Sequence, residues 1–378
     1  MQRINLVWLK RDLRTQDHEP LFMAEQDALP YLIVFIHEPA LNKLPDVSER
    51  HQHFQWASID CMNKQLFAHG RAVQVFQGNA FDVFTYLIDV FEIKNVFSYQ
   101  ESGIQATWDR DKQVAALFKQ KGIAWKQFSK NGVRRGYFQR QDWVKQWHVH
   151  MHEPFINNAF SPEKSVSVSN IPDCFQSTVL PPLHNPPTMQ PPGSHNGWKY
   201  LNSFLDSRHP GYLKQISSPS QSRHSCSRIS PYLAWGNLSM KQVWHATQQA
   251  MRNQPNRRAL SAFASRLHWH GHFIQKMEDE IEYETQCINR GYEKLILPRN
   301  EKCIEAWKTG QTGFPLIDAS MRCLQATGWI NFRMRAMLVS FLCHHLLQDW
   351  RTGVHHLAQL FLDYEPGIHY PHPLDSVD

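Results

Sequence analysis

The sequence predicts two folded parts: an α/β domain built on a doubly wound parallel sheet, followed by an all-α domain. Short apolar runs alternate with amphipathic stretches in the first third of the chain, and long amphipathic stretches occupy its second half. A proline-rich segment separates the two patterns. With 378 residues, the chain is long enough for two domains that each bury a core.

The apolar runs of the first part are rich in valine, isoleucine and aromatic residues, which favour strands. Between them lie amphipathic stretches such as residues 51–68 and 107–121, which predict helices. Regular alternation of this kind is typical of a parallel sheet covered by helices. No G-x-G-x-x-G motif follows the first run, which argues against dinucleotide binding in the NAD manner. The predicted strands are residues 4–9, 31–36, 72–76, 95–99 and 124–128.

The chain loses its periodicity between His152 and Gly197. Six prolines lie between Pro181 and Pro192, a composition that favours extended backbone. We therefore divide the chain into an α/β domain at 1–130, a proline-rich connection at 131–197 and a helical domain at 198–378. The helical domain has amphipathic stretches at 240–251, 260–277, 316–326 and 332–348.

The composition excludes several classes of protein. No apolar run approaches a membrane span, and charge appears too early for a signal peptide, so we expect no membrane association and a cytoplasmic location. The seven cysteines form no C-x-x-C pair, which leaves a zinc ribbon without support. A formal charge of +6 permits binding to a polyanion such as DNA, although this charge is common.

The segment SCSRISPYLAWGNLS at residues 225–239 carries the signature of a helix start. Ser230 is predicted to be the N-cap and Pro231 the first helical residue. Arg228 and the hydroxyl groups of Ser225 and Ser227 would add donors and positive charge. The arrangement suits a diphosphate, and the alternative is an ordinary capped helix.

The segment at 307–350 is a turn, a helix, a Gly-Trp break and an arginine-bearing helix. Arg333 and Arg335 lie on a stretch whose other positions are mostly apolar, so each needs a partner or water. A structural ion pair and a functional one are both compatible with this pattern.

These two segments, together with VWLKRDLRTQDHEPL at residues 7–21, resemble the photolyase/cryptochrome family. The resemblance extends over residues 4–371. It implies that the helical domain binds FAD, and that the excited reduced flavin passes an electron to a pyrimidine lesion in DNA. The enzyme would then be a deoxyribodipyrimidine photo-lyase.

The resemblance also assigns site residues. Arg335 matches an arginine that pairs with an aspartate beside the flavin ring, and Asp363 matches that aspartate. Glu365 replaces a second aspartate, and His369 lies where a residue faces flavin N5. The implied FAD-binding residues are Tyr212, Cys226 in place of a threonine, Ser227, Arg228, Ile229, Ser230, Arg335, Asp363, Glu365 and His369, and the implied catalytic residues are Arg335, Trp350 and His369.

Trp350 matches the middle tryptophan of the family's electron-transfer chain. The two flanking positions hold Leu297 and Pro373, so the usual route of photoreduction is interrupted. Trp307, Trp329 or Tyr370 would offer another route, and packing in a core is the alternative for each of them.

The substrate face departs most from the family pattern. Trp269 keeps a position that stacks on damaged bases, whereas Arg266 replaces a glutamate that contacts cyclobutane dimers. These changes favour a cryptochrome-like protein or a different lesion. The implied lesion-binding residues are Arg266, Trp269, His270, Phe332 and Arg333.

The sequence also offers candidates for a metal site and for an antenna site. His268 and His272 have the i, i+4 spacing of a metal pair, but no carboxylate ligand set accompanies them, so we expect no metal. Glu101, Arg110 and Asp111 occupy a region that holds a folate-type antenna pigment in some relatives.

The expected partner is DNA that contains pyrimidine photolesions, bound by a monomer. The alternatives are a cryptochrome-like blue-light photoreceptor that signals to a protein partner, and a truncated member unable to hold FAD. Truncation is suggested by HYPHPLDSVD, where the family pattern continues with further flavin-domain sequence.

Overall fold

The computed structural model describes residues 1–136, 140–176, 188–253 and 257–371. Its first part is a parallel five-stranded sheet with strand order β3-β2-β1-β4-β5. Each strand lies at one of the predicted apolar runs, so the predicted parallel sheet is confirmed. The strands are β1 Gln2–Leu9, β2 Tyr31–His37, β3 Val73–Gln77, β4 Phe91–Tyr99 and β5 Ala124–Phe128.

Both faces of the sheet are buried, because alternate residues of each strand point to opposite sides. On one face Leu6 and Trp8 pack against the helices Ala80–Val90 and Gln105–Lys121. On the other face Val7 and Leu9 pack against the helices Glu19–Gln26 and Glu49–Phe67. The sheet is therefore doubly wound, as the sequence predicts.

The second part is helical, also as predicted. Its α-helices of eight residues or more are Arg140–His152, Ser194–Ser203, Met240–Asn253, Arg257–Asp279, Glu301–Thr309, Pro315–Thr327, Phe332–Ser340 and Arg351–Leu360. Shorter helices are Tyr212–Gln215, Ser222–Ser225, Ser230–Ala234 and Pro366–His369. None of the described helices is long and apolar enough to cross a membrane.

Two local expectations differ from the structure. The predicted helix at 332–348 is an α-helix only to Ser340 and continues as the π-helix Phe341–His345. The predicted connection includes the helix Arg140–His152, whose Trp143 and Trp147 are buried in the core. Residues 177–187 of the proline-rich segment lie outside the described residues.

The helical part has two apolar cores. One surrounds Trp235 and Phe263, and the other surrounds Trp307 and Trp350. Side chains of both cores line the cavity described below, so that cavity lies where the two cores meet.

The sheet and the helical part share a polar interface. Arg11, after β1, donates to the carbonyl of Tyr364 at 2.8 Å, and Arg50 donates to that of Leu360 at 2.7 Å. Gly236 has φ of +72°, and a Cβ there would lie 2.4 Å from the carbonyl oxygen of Arg11. Glycine is required at this position because no side chain fits between the two backbones.

Candidate functional site

A cavity of about 220 Å³ opens between the two helical cores and is called the central cavity here. Its wall is mainly apolar and aromatic, with a few ionisable groups, a composition typical of a cofactor site. The lining residues are Ser230, Ala234, His270, Trp329, Ile330, Phe332, Arg335, Val339, Leu357, Phe361, Asp363, Ile368 and His369.

An ion pair forms part of this wall. Arg335 donates from Nη2 to Oδ2 of Asp363 at 2.6 Å and from Nε to the carbonyl of Ile330 at 3.1 Å. The guanidinium also lies 4.0 Å from the centre of the Phe361 ring. Oδ1 of Asp363 is buried and has no partner among the described residues. A hydrogen-bond donor on a ligand in the cavity would satisfy this oxygen.

Two histidines on the wall are held neutral. Burial lowers the pKa of His270 and of His369 to about 4. Nε2 of His369 donates to the carbonyl of Val354 at 2.9 Å, which leaves its Nδ1 as an acceptor. Nδ1 of His270 is buried without a partner among the described residues. Both rings therefore retain hydrogen-bonding capacity for a ligand.

Arg228 lies behind one wall of the cavity. Its φ of +58° is uncommon for a residue with a side chain, and its guanidinium lies 5.2 Å from the ring of Trp329, which lines the cavity. Its Nε and Nη2 are buried without partners among the described residues. Burial and the nearby Arg223 lower the pKa of Arg228. An anion at this position would remove the cost of the unpaired buried charge.

The helix start at this segment differs from the prediction. Ser230 is the first helical residue of Ser230–Ala234, and Ile229 is the N-cap, because its carbonyl already accepts from Leu233. Ser230 instead receives a hydrogen bond from Trp329 Nε1 at 3.3 Å. A helix of five residues has little dipole, so the case for an anion rests on Arg228.

Tyr212 is buried beside Phe204 and Phe263, outside the lining of the central cavity. Its hydroxyl is hydrogen-bonded to Arg266, the residue that replaces the expected glutamate. Burial raises the pKa of Tyr212, so the phenol stays protonated. The pair gives the neighbouring surface a positive charge. Cys226 and Ile229 are buried in the same core.

Glu365 faces away from the central cavity. It lines a separate cavity of about 20 Å³ at the interface with the sheet, next to Arg11 and Lys130. Burial raises its pKa, and the two cations oppose that rise. The structure therefore places Glu365 at the contact between the domains.

Trp350 is buried in the second core, and its Nε1 lies 3.3 Å from Sγ of Cys287. It does not line the central cavity. Pro373, at one flanking position of the expected chain, lies outside the described residues.

The predicted lesion-binding residues are partly exposed. Trp269 retains 45% and Phe332 50% of their accessible surface, a large fraction for aromatic residues. Phe332 lies on the cavity wall and Arg333 is exposed next to it. Exposed aromatic rings are suited to stacking on bases, and exposed arginines are suited to contacts with phosphates.

His268 and His272, considered above as a metal pair, pack among aromatic rings. The ring of His268 lies 5.0 Å from that of Trp147 and is stacked on that of His148 at 5.7 Å. The ring of His272 lies 5.9 Å from that of Trp143. Packing against these rings explains the presence of both histidines.

The region expected to hold an antenna contains a network of charges that we call the sheet-edge cluster, near a cavity of about 100 Å³. Arg110 pairs with Glu101 at 2.6 Å, Asp111 at 2.7 Å and Glu38 at 3.0 Å. Lys10 pairs with Asp111 at 2.7 Å. Burial would raise the pKa of Glu101, but Arg110 and other cations outweigh it and hold the pKa at about 2.

The central cavity thus unites six of the residues proposed from sequence, namely Ser230, His270, Phe332, Arg335, Asp363 and His369. Sequence reasoning missed the apolar wall formed by Ala234, Ile330, Val339, Leu357, Phe361 and Ile368. Helical periodicity marks such residues as buried but does not distinguish a cavity wall from a core.

Comparison with known families gives the class of this fold and site. The model for the FAD binding domain of DNA photolyase matches residues 263–373, and the model for DNA photolyase matches residues 5–135. The first covers most of the cavity wall and the second covers the sheet. The chain therefore belongs to the photolyase/cryptochrome family and has FAD as its cofactor.

Individual relatives agree with this assignment. The chain is 24% identical to the deoxyribodipyrimidine photo-lyase of Alkalihalophilus pseudofirmus over 96% of its own length and 78% of the relative's. It is 23% identical to the cryptochrome DASH of Synechocystis over 95% of its length and 78% of the relative's.

Solved structures confirm the fold. The chain superposes on a bacterial class III photolyase from Agrobacterium tumefaciens with a TM-score of 0.85 and 22% identity, over its whole length and 80% of the other chain. An archaeal photolyase from Sulfolobus tokodaii, described with two FAD molecules, gives a TM-score of 0.77 and 23% identity, with coverage of 100% and 83%.

Proposed function

We propose that this protein is a light-driven DNA repair enzyme of the deoxyribodipyrimidine photo-lyase type. The observation that carries the proposal is the central cavity, whose wall combines buried polar atoms that have no partner among the described residues with the exposed ring of Phe332. The relatives named deoxyribodipyrimidine photo-lyase support this function.

The residues present fit a flavin. Arg228 offers a diphosphate two nitrogens that have no partner among the described residues. Oδ1 of Asp363, Nδ1 of His270 and Nδ1 of His369 offer contacts for a polar ring. Arg335 is fixed by Asp363 on the same wall and supplies positive charge. When bound, the flavin supplies light absorption and an electron for the lesion.

The exposed residues would position DNA. Trp269 offers a face on which an extruded base stacks, and Arg266 and Arg333 supply charge for phosphates. Because phosphate contacts release counterions, affinity for DNA should fall steeply as the salt concentration rises. We expect the protein to act as a monomer and to be cytoplasmic.

The test combines a spectrum with a repair assay. Purified protein should show flavin absorbance and should repair cyclobutane dimers in an oligonucleotide under blue light but not in darkness. Replacing Trp269 by alanine should weaken binding of lesion-containing strands by about 1–3 kcal/mol and that of intact strands less. Phe67→Ala removes another exposed aromatic, on the helix Glu49–Phe67, and should change neither affinity.

Repair that is absent from flavin-loaded protein would contradict the proposal. Equal loss of affinity for both kinds of strand would show that Trp269 has a structural role.

A cryptochrome-like photoreceptor is the second candidate. Arg266 favours it, because a cation bonded to Tyr212 replaces the carboxylate expected to contact the dimer. Flavin-loaded protein that responds to light spectroscopically but repairs no dimer would support this function. Repair restored by Arg266→Glu would show that residue 266 determines whether the protein repairs dimers.

A further inference from the structure

Two tyrosines and one carboxylate form a buried hydrogen-bonded group next to the central cavity. Tyr364 donates from its hydroxyl to Oδ2 of Asp46, and the hydroxyl of Tyr370 is hydrogen-bonded to Tyr364. The exposed fractions are 2% for Tyr364, 2% for Asp46 and 1% for Tyr370. Tyr364 and Asp46 also line the cavity of about 100 Å³ next to the sheet-edge cluster.

This group contacts a residue of the cavity wall. The ring of His369, which lines the central cavity, lies 5.3 Å from the ring of Tyr364 and 5.5 Å from that of Tyr370. Tyr364 also lies between Asp363, on the cavity wall, and Glu365. A single aromatic ring thus separates the cavity from two buried phenols.

The chemistry of phenols indicates what this arrangement can do. A phenol that loses an electron becomes strongly acidic, so its oxidation in a buried site requires a base already in place. Burial raises the pKa of Tyr364 far above its usual value, and the proton therefore stays on oxygen until an electron leaves. The carboxylate of Asp46 is the acceptor already hydrogen-bonded to it.

We propose that Tyr364 is a light-driven electron donor to the flavin of the central cavity and that Asp46 accepts its phenolic proton. With an oxidised flavin bound in the central cavity, the flavin would supply the light-driven one-electron oxidant and Tyr364 would give up one electron to it. The O–H bond of Tyr364 would break and an O–H bond would form on Asp46, leaving a neutral tyrosyl radical and a neutral carboxylic acid. The inference rests on the function proposed above, in which the central cavity holds the flavin.

The surroundings of Trp350 support the choice of Tyr364. The indole N–H of Trp350 faces the sulfur of Cys287, and its ring does not line the central cavity. Leu297 occupies one of the positions that would extend a chain of tryptophans through Trp350. Tyr364 combines contact with the cavity wall and a base for its proton.

The test is transient absorption and electron paramagnetic resonance of the flavin-loaded protein after a blue flash. The unsubstituted protein should form a tyrosyl radical, and its formation should be slower in heavy water because a proton moves. Tyr364→Phe should abolish the radical and lengthen the lifetime of the excited flavin. Asp46→Asn keeps a hydrogen-bond acceptor but removes the base, and should slow radical formation.

A matched control is available in the sheet. Tyr31 is a buried tyrosine that donates to Oε2 of Glu25 at 2.7 Å, but it lies in the core between the sheet and its helices. Tyr31→Phe should leave both the radical and the lifetime unchanged.

Three results would contradict the inference. If Tyr364→Phe holds flavin and keeps the radical and the lifetime, Tyr364 is not the donor, and the proposed repair function stands. If Tyr364→Phe does not fold, an Asp46→Asn protein with an unchanged rate and isotope effect overturns it. Protein that binds no flavin contradicts both the proposed function and this inference.

Discussion

The sheet-edge cluster and the central cavity both bury charged groups, but the two regions differ in whether those groups are paired. In the sheet-edge cluster, Arg110 meets three carboxylates and Lys10 meets one of them. In and behind the central cavity, Arg228 and Asp363 each keep at least one buried polar atom without a partner among the described residues.

The difference separates charges that stabilise the fold from charges available to a ligand. A buried polar atom without a partner costs about 1–3 kcal/mol, and a fold retains it only where something compensates. The charges of the cluster are paired with one another, so few of its polar groups are left to bind a pigment. A pigment there would depend mainly on the apolar neighbours of the cluster. Within the described part of the chain, the unpartnered polar atoms of the cavity have no such compensation, which agrees with a site for FAD. The proposed antenna at Glu101, Arg110 and Asp111 remains a prediction.

The largest effect is expected when the cluster loses its central cation. Arg110→Ala leaves the buried carboxylates of Glu38 and Glu101 without their main partner and should lower the free energy of unfolding by about 3–5 kcal/mol. Urea denaturation measures this change. Arg3→Ala breaks an exposed pair with Glu92 and should cost about 0–1 kcal/mol. Equal costs for the two variants would remove the distinction between buried and exposed networks.

A smaller and different effect is expected for Arg228→Ala. Removing this cation relieves the cost of N–H groups that have no partner among the described residues but also loses its contact with the Trp329 ring, so the free energy of unfolding of the flavin-free protein should not fall substantially. FAD affinity should fall by about 1.5–3 kcal/mol, the contribution of a charge-assisted hydrogen bond. Calorimetric titration with FAD measures this loss, and Arg228→Lys should recover part of it. Unfolding that is strongly weakened without FAD would assign Arg228 a structural role.

The last effects concern acidification. The pKa values of His270 and His369 lie below 6.5 in the folded protein, so the unfolded chain takes up protons first, and stability should fall between pH 6.5 and about 4. The pKa of Glu101 lies at about 2, below its usual 4.5, so its contribution should be lost only below pH 4.5. The cavity should therefore weaken before the cluster does.

Urea denaturation at a series of pH values provides the measurement. His369→Gln should reduce the dependence of stability on pH above 4, and Glu101→Gln should reduce it below 4.5. An unchanged dependence in His369→Gln would show that this histidine is not held neutral.

The sequence predicts the sheet well because its signal is local. Each strand is a short run of apolar residues, and burial on both faces follows from that run alone. The helix Arg140–His152 was missed because its histidines and glutamines obscure its apolar face, although Trp143 and Trp147 are buried. The π-helix after Ser340 depends on packing rather than on composition.

The sequence predicts a contact in the site where the family resemblance identifies both partners. Arg335 and Asp363 lie 28 residues apart in the sequence, and no local pattern joins them, yet the structure pairs them. The orientation of Glu365 was not predictable, because its surroundings include Arg11 and Lys130 from the other end of the chain. The positive φ of Arg228 could not be predicted either, because no sequence pattern reliably marks a non-glycine residue with this backbone conformation.

The contact between Arg11 and the carbonyl of Tyr364 has a consequence for synthesis on the ribosome. The five strands end at Phe128, so the sheet can form while most of the helical part is still untranslated. The central cavity needs Asp363 and His369, which are made more than 200 residues later. Until then Arg11 lacks the carbonyl of Tyr364 to which it donates. Cofactor loading should therefore follow the docking of the two parts, and a nascent chain stalled before residue 363 should carry a folded sheet without flavin.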